Sequence, residues 1–239
     1  MGYYGYYGYG FDWTYLMVLA GAILSLLASA KVNSTFQKYA RVRSMSGMTG
    51  AQVARRILDR NGLSEIPVEH VSGNLSDHYD PTSKVLRLSD STYNSPSVAA
   101  IGVAAHECGH AIQHKESYGP LKLRTAIVPA ANLGSRLGMP IILLGLLFGG
   151  GGSTLVNIGI WVFSLAVLFQ IVTLPVEFNA SSRALVMLED YGILGQEEKR
   201  KAKSVLSAAA MTYVAAAAAS ILQLLRLVIL FGGRNNDRD

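Results

Sequence analysis

Four long apolar runs alternate with polar stretches along the chain. Residues 13–30, 155–174 and 211–231 are each close to the length that crosses a bilayer as a helix, and residues 137–148 form a shorter run. "GGGGST" separates the middle pair and suits a tight turn, so residues 137–175 read as an apolar helical hairpin. The short run of 137–148 also fits a re-entrant helix. Residues 31–136 instead mix apolar and polar positions at short periods. Thr49 and Gln52 form a capping box that opens a helix with Val53, Ile57 and Leu58 on one side, closing near Gly62. "VEHVSG" and "KVLRLS" read as short strands about the turn "DPTSK". Ser95 caps, and Pro96 begins, a further helix expected over 96–114.

This pattern divides the chain into seven parts. A Tyr/Gly-rich tail (1–12) precedes a first anchor (13–30), a mixed region (31–136) and the hairpin (137–175). A polar segment (176–204) ending in "EEKRKAK", a last apolar helix (205–231) and a polar tail (232–239) follow. Ala28-Ser29-Ala30 resembles a signal-peptidase site. However, no basic residue precedes the run, and Lys31, Lys38, Arg41 and Arg43 follow it at once, so an uncleaved anchor is expected. Pro175 is a suitable first-turn residue, and a helix carrying Glu177 is expected to begin there.

Composition agrees with membrane residence. Half of the residues are hydrophobic and only 15% are charged, against about 25% in soluble domains. The net charge of +5 raises nucleic acid as a partner, but the basic residues form no patch interleaved with aromatics, so none is expected. They report topology instead. With the N-terminus outside and four crossings, all of the 21 basic residues except Arg226, Arg234 and Arg238 fall on the inner side. The expected partner is the lipid bilayer, and the small residues of the alanine-rich last helix permit association with a second copy of the chain. A single cysteine, Cys108, excludes an intrachain disulfide and Cys-rich zinc sites, and is expected to be a packing residue.

The chemistry lies in "AAHECGHAIQH". His106-Glu107-Cys108-Gly109-His110 is H-E-x-x-H, which on a helix sets two imidazoles on one face to bind zinc, with Glu107 as general base for a water. Catalytic zinc takes three protein ligands and keeps one position open. Two residues compete to be the third. His114 is four residues beyond His110, but three donors along one straight helix converge poorly on a tetrahedral ion. Glu177, on a second helix, is preferred. His78, Tyr79, Tyr93, Arg183 and Tyr213 are candidate transition-state donors; Arg183 stands out because it follows Glu177 on the same helix. The same residues also fit a scaffold with a vestigial metal site, or metal handling without catalysis. Peptide cleavage that Glu107→Gln abolishes separates those readings from an enzyme.

The anchor, "VLRLSDSTYNSPSVAAIGVAAHECGHAIQH", the apolar pair and "LPVEFNASSRAL" together resemble the YugP-like family of bacterial membrane zinc metallopeptidases, distantly similar to HtpX and the CaaX-prenyl proteases. The resemblance implies a mainly α membrane protein with about four transmembrane helices and a small zincin-like α+β cytoplasmic part. It implies zinc-dependent endopeptidase activity of gluzincin type on a peptide or protein substrate. One Zn2+ per chain would be held by His106, His110 and Glu177, with E-x-x-A matched by Glu177 and Ala180. It also implies that Val85, Leu86, Arg87, Leu88 and Ser89 bind substrate by strand addition. HtpX-like chains carry an aspartate where this one has Ser181, leaving Ser181 or Asn179 to orient a ligand histidine.

Overall fold

The computed structural model describes residues 12–150 and 154–232; the tails and residues 151–153 of the glycine turn lie outside the described residues. The chain is mainly helical, with a small three-stranded sheet. Its elements are α1 (Tyr15–Ala40), α2 (Gly50–Arg60), β1 (Val68–Val71), β2 (His78–Asp80), β3 (Val85–Ser89), α3 (Val98–Lys115), α4 (Gly119–Gly149), α5 (Thr154–Asp190) and α6 (Gln196–Phe231). Helices α1, α4, α5 and α6 are each long and apolar enough to cross a membrane. They present their large apolar side chains outward: Leu26, Leu147, Phe148 and Trp161 are all strongly exposed. In water such a surface would be unfavourable; against lipid tails it is matched.

These helices run well past the apolar runs. Helix α4 begins at Gly119, ahead of residue 137, and carries Pro129 and Pro140 inside it. The short run is therefore the far end of a 31-residue helix. Helix α5 likewise passes through Pro175 rather than starting there, so Glu177 lies deep within a helix of 37 residues. Proline lacks the N–H that would bond four residues back, but long membrane helices tolerate it because neighbouring elements hold the segment in place. The basic stretch "EEKRKAK" forms the first turns of α6, because Glu, Lys, Arg and Ala are all good helix formers.

Helices α4 and α5 pack as an antiparallel hairpin through small residues. Gly134 lies against Val162, Gly138 against Phe163, and Gly145 against Val156. Helices α1 and α6 make a second close pair, with Gly21 against Ala219. The small residues of α6 are thus used in packing within the chain. At the open end of this pair, Arg226 reaches Asp12 at 3.6 Å and Thr14 Oγ1 at 3.2 Å, and stacks over Tyr15. A charge that would be costly in a lipid environment is thereby paired across the two helix ends.

The remaining elements gather around α3. The main core combines Val53, Ile57 and Leu58 of α2, Leu86 and Leu88 of β3, and Ile101, Ala104 and Ala105 of α3. Ala184 and Leu188 of α5 and Ala202 and Leu206 of α6 complete it. Helix α2 opens with the expected capping box, Thr49 and Gln52 bonding each other's backbone amides. Helix α3 starts later than its sequence suggests. Ser97, not Ser95, is the N-cap, and its hydroxyl accepts from the Ala100 amide. The sheet order is β1-β3-β2, with β1 parallel and β2 antiparallel to β3. "DPTSK" therefore turns β2 into β3 and does not join "VEHVSG" to "KVLRLS". The three residues of β2 were too short and polar to stand out in the sequence.

Helices α3 and α5 approach each other closely at Gly109 and Ala180. A Cβ on Gly109 would lie 2.7 Å from the Ala180 carbonyl oxygen and 3.1 Å from its Cα. Both neighbours are backbone atoms, which cannot swing aside. In an open helix, Gly→Ala stabilises by about 1 kcal/mol. Here Gly109→Ala is expected to lower the melting temperature, because overpacking of about 1–3 kcal/mol outweighs that gain. Thermal unfolding of the purified protein in detergent checks the sign.

Candidate metal centre

The contact at Gly109 decides what the two helices can bring together. His106 and His110 flank Gly109 on α3, and Glu177 and Ser181 flank Ala180 on α5. Glu177 Oε2 lies 3.3 Å from His106 Nε2 and 3.5 Å from His110 Nε2. The two imidazole rings stand edge to face with centroids 4.7 Å apart. Among the described residues, this trio is the one group of His, Cys, Asp and Glu donors close enough to hold a metal ion.

Each donor is held by a neighbour. Ser181 Oγ lies 3.1 Å from His106 Nδ1, and Gln113 Oε1 lies 3.0 Å from His110 Nδ1. Bonds at Nδ1 leave both Nε2 atoms facing Glu177. Gln113 is fully buried, and its amide nitrogen donates to the Val176 carbonyl and to Asn179 Oδ1, both at 2.9 Å. Arg183 Nε donates to the same Asn179 oxygen at 2.8 Å. A chain of bonds therefore runs from α5 through Gln113 to His110. On the other side of the site, Arg124 of α4 donates to Glu177 Oε1 at 3.2 Å.

The donor set fits a zinc ion. Donors on a tetrahedral centre with bonds of about 2.0–2.1 Å lie roughly 3.3 Å apart, close to the separations from Glu177 to the imidazoles. Glu177 Oε2 is buried and has no hydrogen-bond partner, an expensive arrangement unless a cation satisfies it. Burial works against protonating His110, yet the facing Glu177 and the nearby Glu107 outweigh it and hold its pKa above the ordinary histidine value. The site is thus built to favour positive charge between these side chains.

Glu107 points to the same space. Its Oε2 accepts from the Tyr79 backbone amide at 3.0 Å, so β2 fixes the carboxylate beside the imidazoles. A cavity of about 260 Å³ opens there, lined by His106, Glu107, Glu177 and Tyr213, with Leu75 and Val32 at its margins.

Other sequence candidates lie elsewhere. His114 is absent from the cluster; its Nδ1 meets the Tyr79 hydroxyl at 2.9 Å. Cys108 Sγ faces the Ala54 carbonyl of α2, and burial pushes its thiol pKa up. Arg183, considered as a transition-state donor, is turned away. Besides Asn179 it pairs with Glu116 at 2.7 Å and packs over Tyr118. Val85–Ser89 does not offer a free edge to a substrate strand, because β3 is the central strand, with β1 along Leu86–Ser89 and β2 along Val85–Arg87. The open edge beside Glu107 belongs to β2. His78 bonds Ser76, and Tyr93 packs on His70, so of the five donors weighed only Tyr213 lines the cavity with His106 and Glu177. Gln113 and Arg124 are not among the sequence candidates. Gln113 carried a faint signal, as a polar residue three beyond His110 in an apolar helix, whereas the Arg124 contact spans 53 positions and had none.

Comparison with known proteins agrees with this chemistry. Residues 14–232 match the family described as "Putative neutral zinc metallopeptidase". The chain belongs to that family. Zn2+ is the cofactor the family implies, and the His106, His110 and Glu177 group is where it can bind. The chain is also 50% identical over 222 residues to "Putative membrane protease YugP" of Bacillus subtilis (strain 168), covering 92% of this chain and 98% of that one. The family match takes in all four apolar helices, so they are part of what family members share. No solved structure matches.

Supporting residues of metal ligands typically carry 10–100-fold in affinity. Gln113→Leu keeps the volume but removes the bond to His110. Its zinc affinity, measured by competition with a chelator, is expected to fall by about that factor.

Proposed function

We propose that this chain is a membrane-integrated zinc endopeptidase of gluzincin type. The observation that carries the reading is the convergence of two imidazoles on a buried, unpartnered carboxylate oxygen, with Glu107 held beside them. His106, His110 and Glu177 are the ligands and Glu107 is the general base. Zinc bound there supplies Lewis acidity, lowering the pKa of a water and polarising a peptide carbonyl.

The chain's own residues supply the proton traffic. Glu107 takes the proton of the attacking water on its carboxylate. It then delivers that proton to the amine nitrogen as the C–N bond breaks, so no charge is left on the leaving group. The Tyr79 amide keeps Glu107 aimed during both transfers. Tyr213, on the cavity wall, donates its phenol proton toward the developing oxyanion. An extended peptide lies along β2, the edge strand of the sheet, beside Glu107. Ser181 and Gln113 set the tautomers of the ligand histidines, with Ser181 in the role an aspartate has in HtpX-like chains.

The same reading places the site at the cytoplasmic face of the bacterial inner membrane. Support comes from the basic flank Lys31 to Arg43 after the first span and from the basic start of α6. The antiparallel α4–α5 hairpin crosses twice, which returns Glu177 to the side of α3.

Glu107→Gln is expected to retain zinc and lose peptide cleavage by roughly 10²–10⁴-fold, because an amide cannot accept the water proton. Glu177→Ala should lose most bound zinc, since two protein ligands hold the ion weakly. His114→Ala should keep both metal and most activity. Metal analysis with a casein or peptide assay reads all three; equal turnover by Glu107→Gln refutes the mechanism.

Orientation is tested separately. In a Cys108→Ala background, cysteines placed at Lys38 and Ser117 should resist an impermeant thiol reagent in intact cells and react after lysis. Ready labelling in intact cells would reverse the topology.

A further inference from the structure

A second concavity lies on the opposite side of the α1–α6 contact from the catalytic cavity. It is a groove of about 500 Å³ whose walls are Lys31, Ser34, Thr35 and Lys38 of α1 and Ser204, Ser207 and Met211 of α6. On α1 these positions follow the spacing i, i+3, i+4, i+7, so they share one helix face. Those of α6 do likewise. A stripe of hydroxyl and ammonium groups on α1 therefore faces the hydroxyls of Ser204 and Ser207 on α6 across the groove.

The charges in this groove are unmatched. Lys31 makes no ion pair among the described residues, and Lys38 has only the neighbouring Tyr39 ring. The acidic side chains at this end of α6 are engaged elsewhere, Glu197 with Arg200 and Glu198 with the Met45 amide. Ser34 and Ser204 donate to helix carbonyls, which leaves their oxygens able to accept. The Thr35 and Ser207 hydroxyls make no hydrogen bond among the described residues.

The groove also sits at a boundary. Lys31 directly follows the charge-free run 13–30, and Met211 begins the apolar part of α6. One and two turns before Lys31, on the same face, Leu27 and Leu24 are exposed. Lipid phosphate lies where an apolar stripe gives way to ammonium and hydroxyl groups, with the acyl chain running along the stripe. Soluble anions have no use for the leucines.

We infer that this groove binds the phosphate headgroup of an anionic phospholipid, held by Lys31 and Lys38 with Thr35 and Ser207, its acyl chain along Leu24 and Leu27. Groove and catalytic cavity share one wall: Val32 and Ala209 line the cavity, while Thr35 and Ala208 line the groove. A lipid seated here braces that wall. The inference does not rest on the peptidase reading, and its test uses no substrate.

The full-length protein in detergent is titrated with dioleoylphosphatidylglycerol or dioleoylphosphatidylcholine and read by native mass spectrometry. The anionic lipid should bind at least about tenfold more tightly, each surface lysine contributing a several-fold factor. Lys31→Gln/Lys38→Gln should remove that preference, while Lys201→Gln/Lys203→Gln keeps it. Ser207→Leu fills the groove without changing charge and should also remove it. Unchanged melting temperatures confirm that the variants are folded. Equal binding of the two lipids overturns the inference, as does full retention by the Lys31/Lys38 variant. Retention by Ser207→Leu would mean diffuse surface charge and no groove site. Displacement by millimolar inorganic phosphate would mean a site for free phosphate and not for lipid.

Discussion

Everything the site can do depends on how closely α3 and α5 approach each other at Gly109 and Ala180. The missing Cβ of Gly109 lets a backbone carbonyl of α5 sit against α3. At that spacing, the donors three residues before and one residue after Gly109 on α3, and three residues before Ala180 on α5, fall within one coordination sphere. With a larger residue at 109, the imidazoles and the carboxylate would still occupy the same helix faces. They would be held apart by the backbone between them. The glycine inside H-E-x-x-H and the alanine of E-x-x-A are thus two halves of one packing contact.

Electrostatics completes what packing begins. A buried carboxylate oxygen without a hydrogen bond is costly, and evolution of a fold rarely leaves one without use. Around it, polar partners are assigned one by one. Ser181 and Gln113 take the outer nitrogens of the histidines, Arg124 takes the second Glu177 oxygen, and Tyr79 takes Glu107. The oxygen left over is the one facing both Nε2 atoms. Fully bonded neighbours keep the donors from collapsing onto one another, which preorganises the site for a cation.

The membrane enters as a construction constraint. Glu177 and Tyr213 reach the site on helices that also carry apolar, outward-facing spans. Glycines in α4 and α5 bring that hairpin together, and Gly21 does so for α1 and α6. The cavity beside the metal trio therefore has helices long and apolar enough to cross a membrane as part of its wall. The lysine-bearing groove lies just across that wall, where the apolar surface ends.

Much of this was legible from residue order alone. Apolar runs of bilayer length follow from the cost of exposing apolar surface to water, which is a local property of the sequence. H-E-x-x-H is equally local, since i and i+4 share a face on any helix. The preference for Glu177 over His114 followed from the same geometry, because one straight helix cannot wrap three donors around an ion. Tertiary structure decided the rest. The continuity of α5 through Pro175 depends on neighbours that steady the helix, and the N-cap moved to Ser97 where the chain meets Arg43. The central position of β3 depends on β2, a strand of three residues whose pairing is set by its partner. Gln113, Arg124 and the Tyr79 amide act across 28 to 66 positions of chain. Periodicity reports which face of an element is buried. It carries no record of which distant backbone or side chain that face will meet, because such contacts are fixed only when the elements pack.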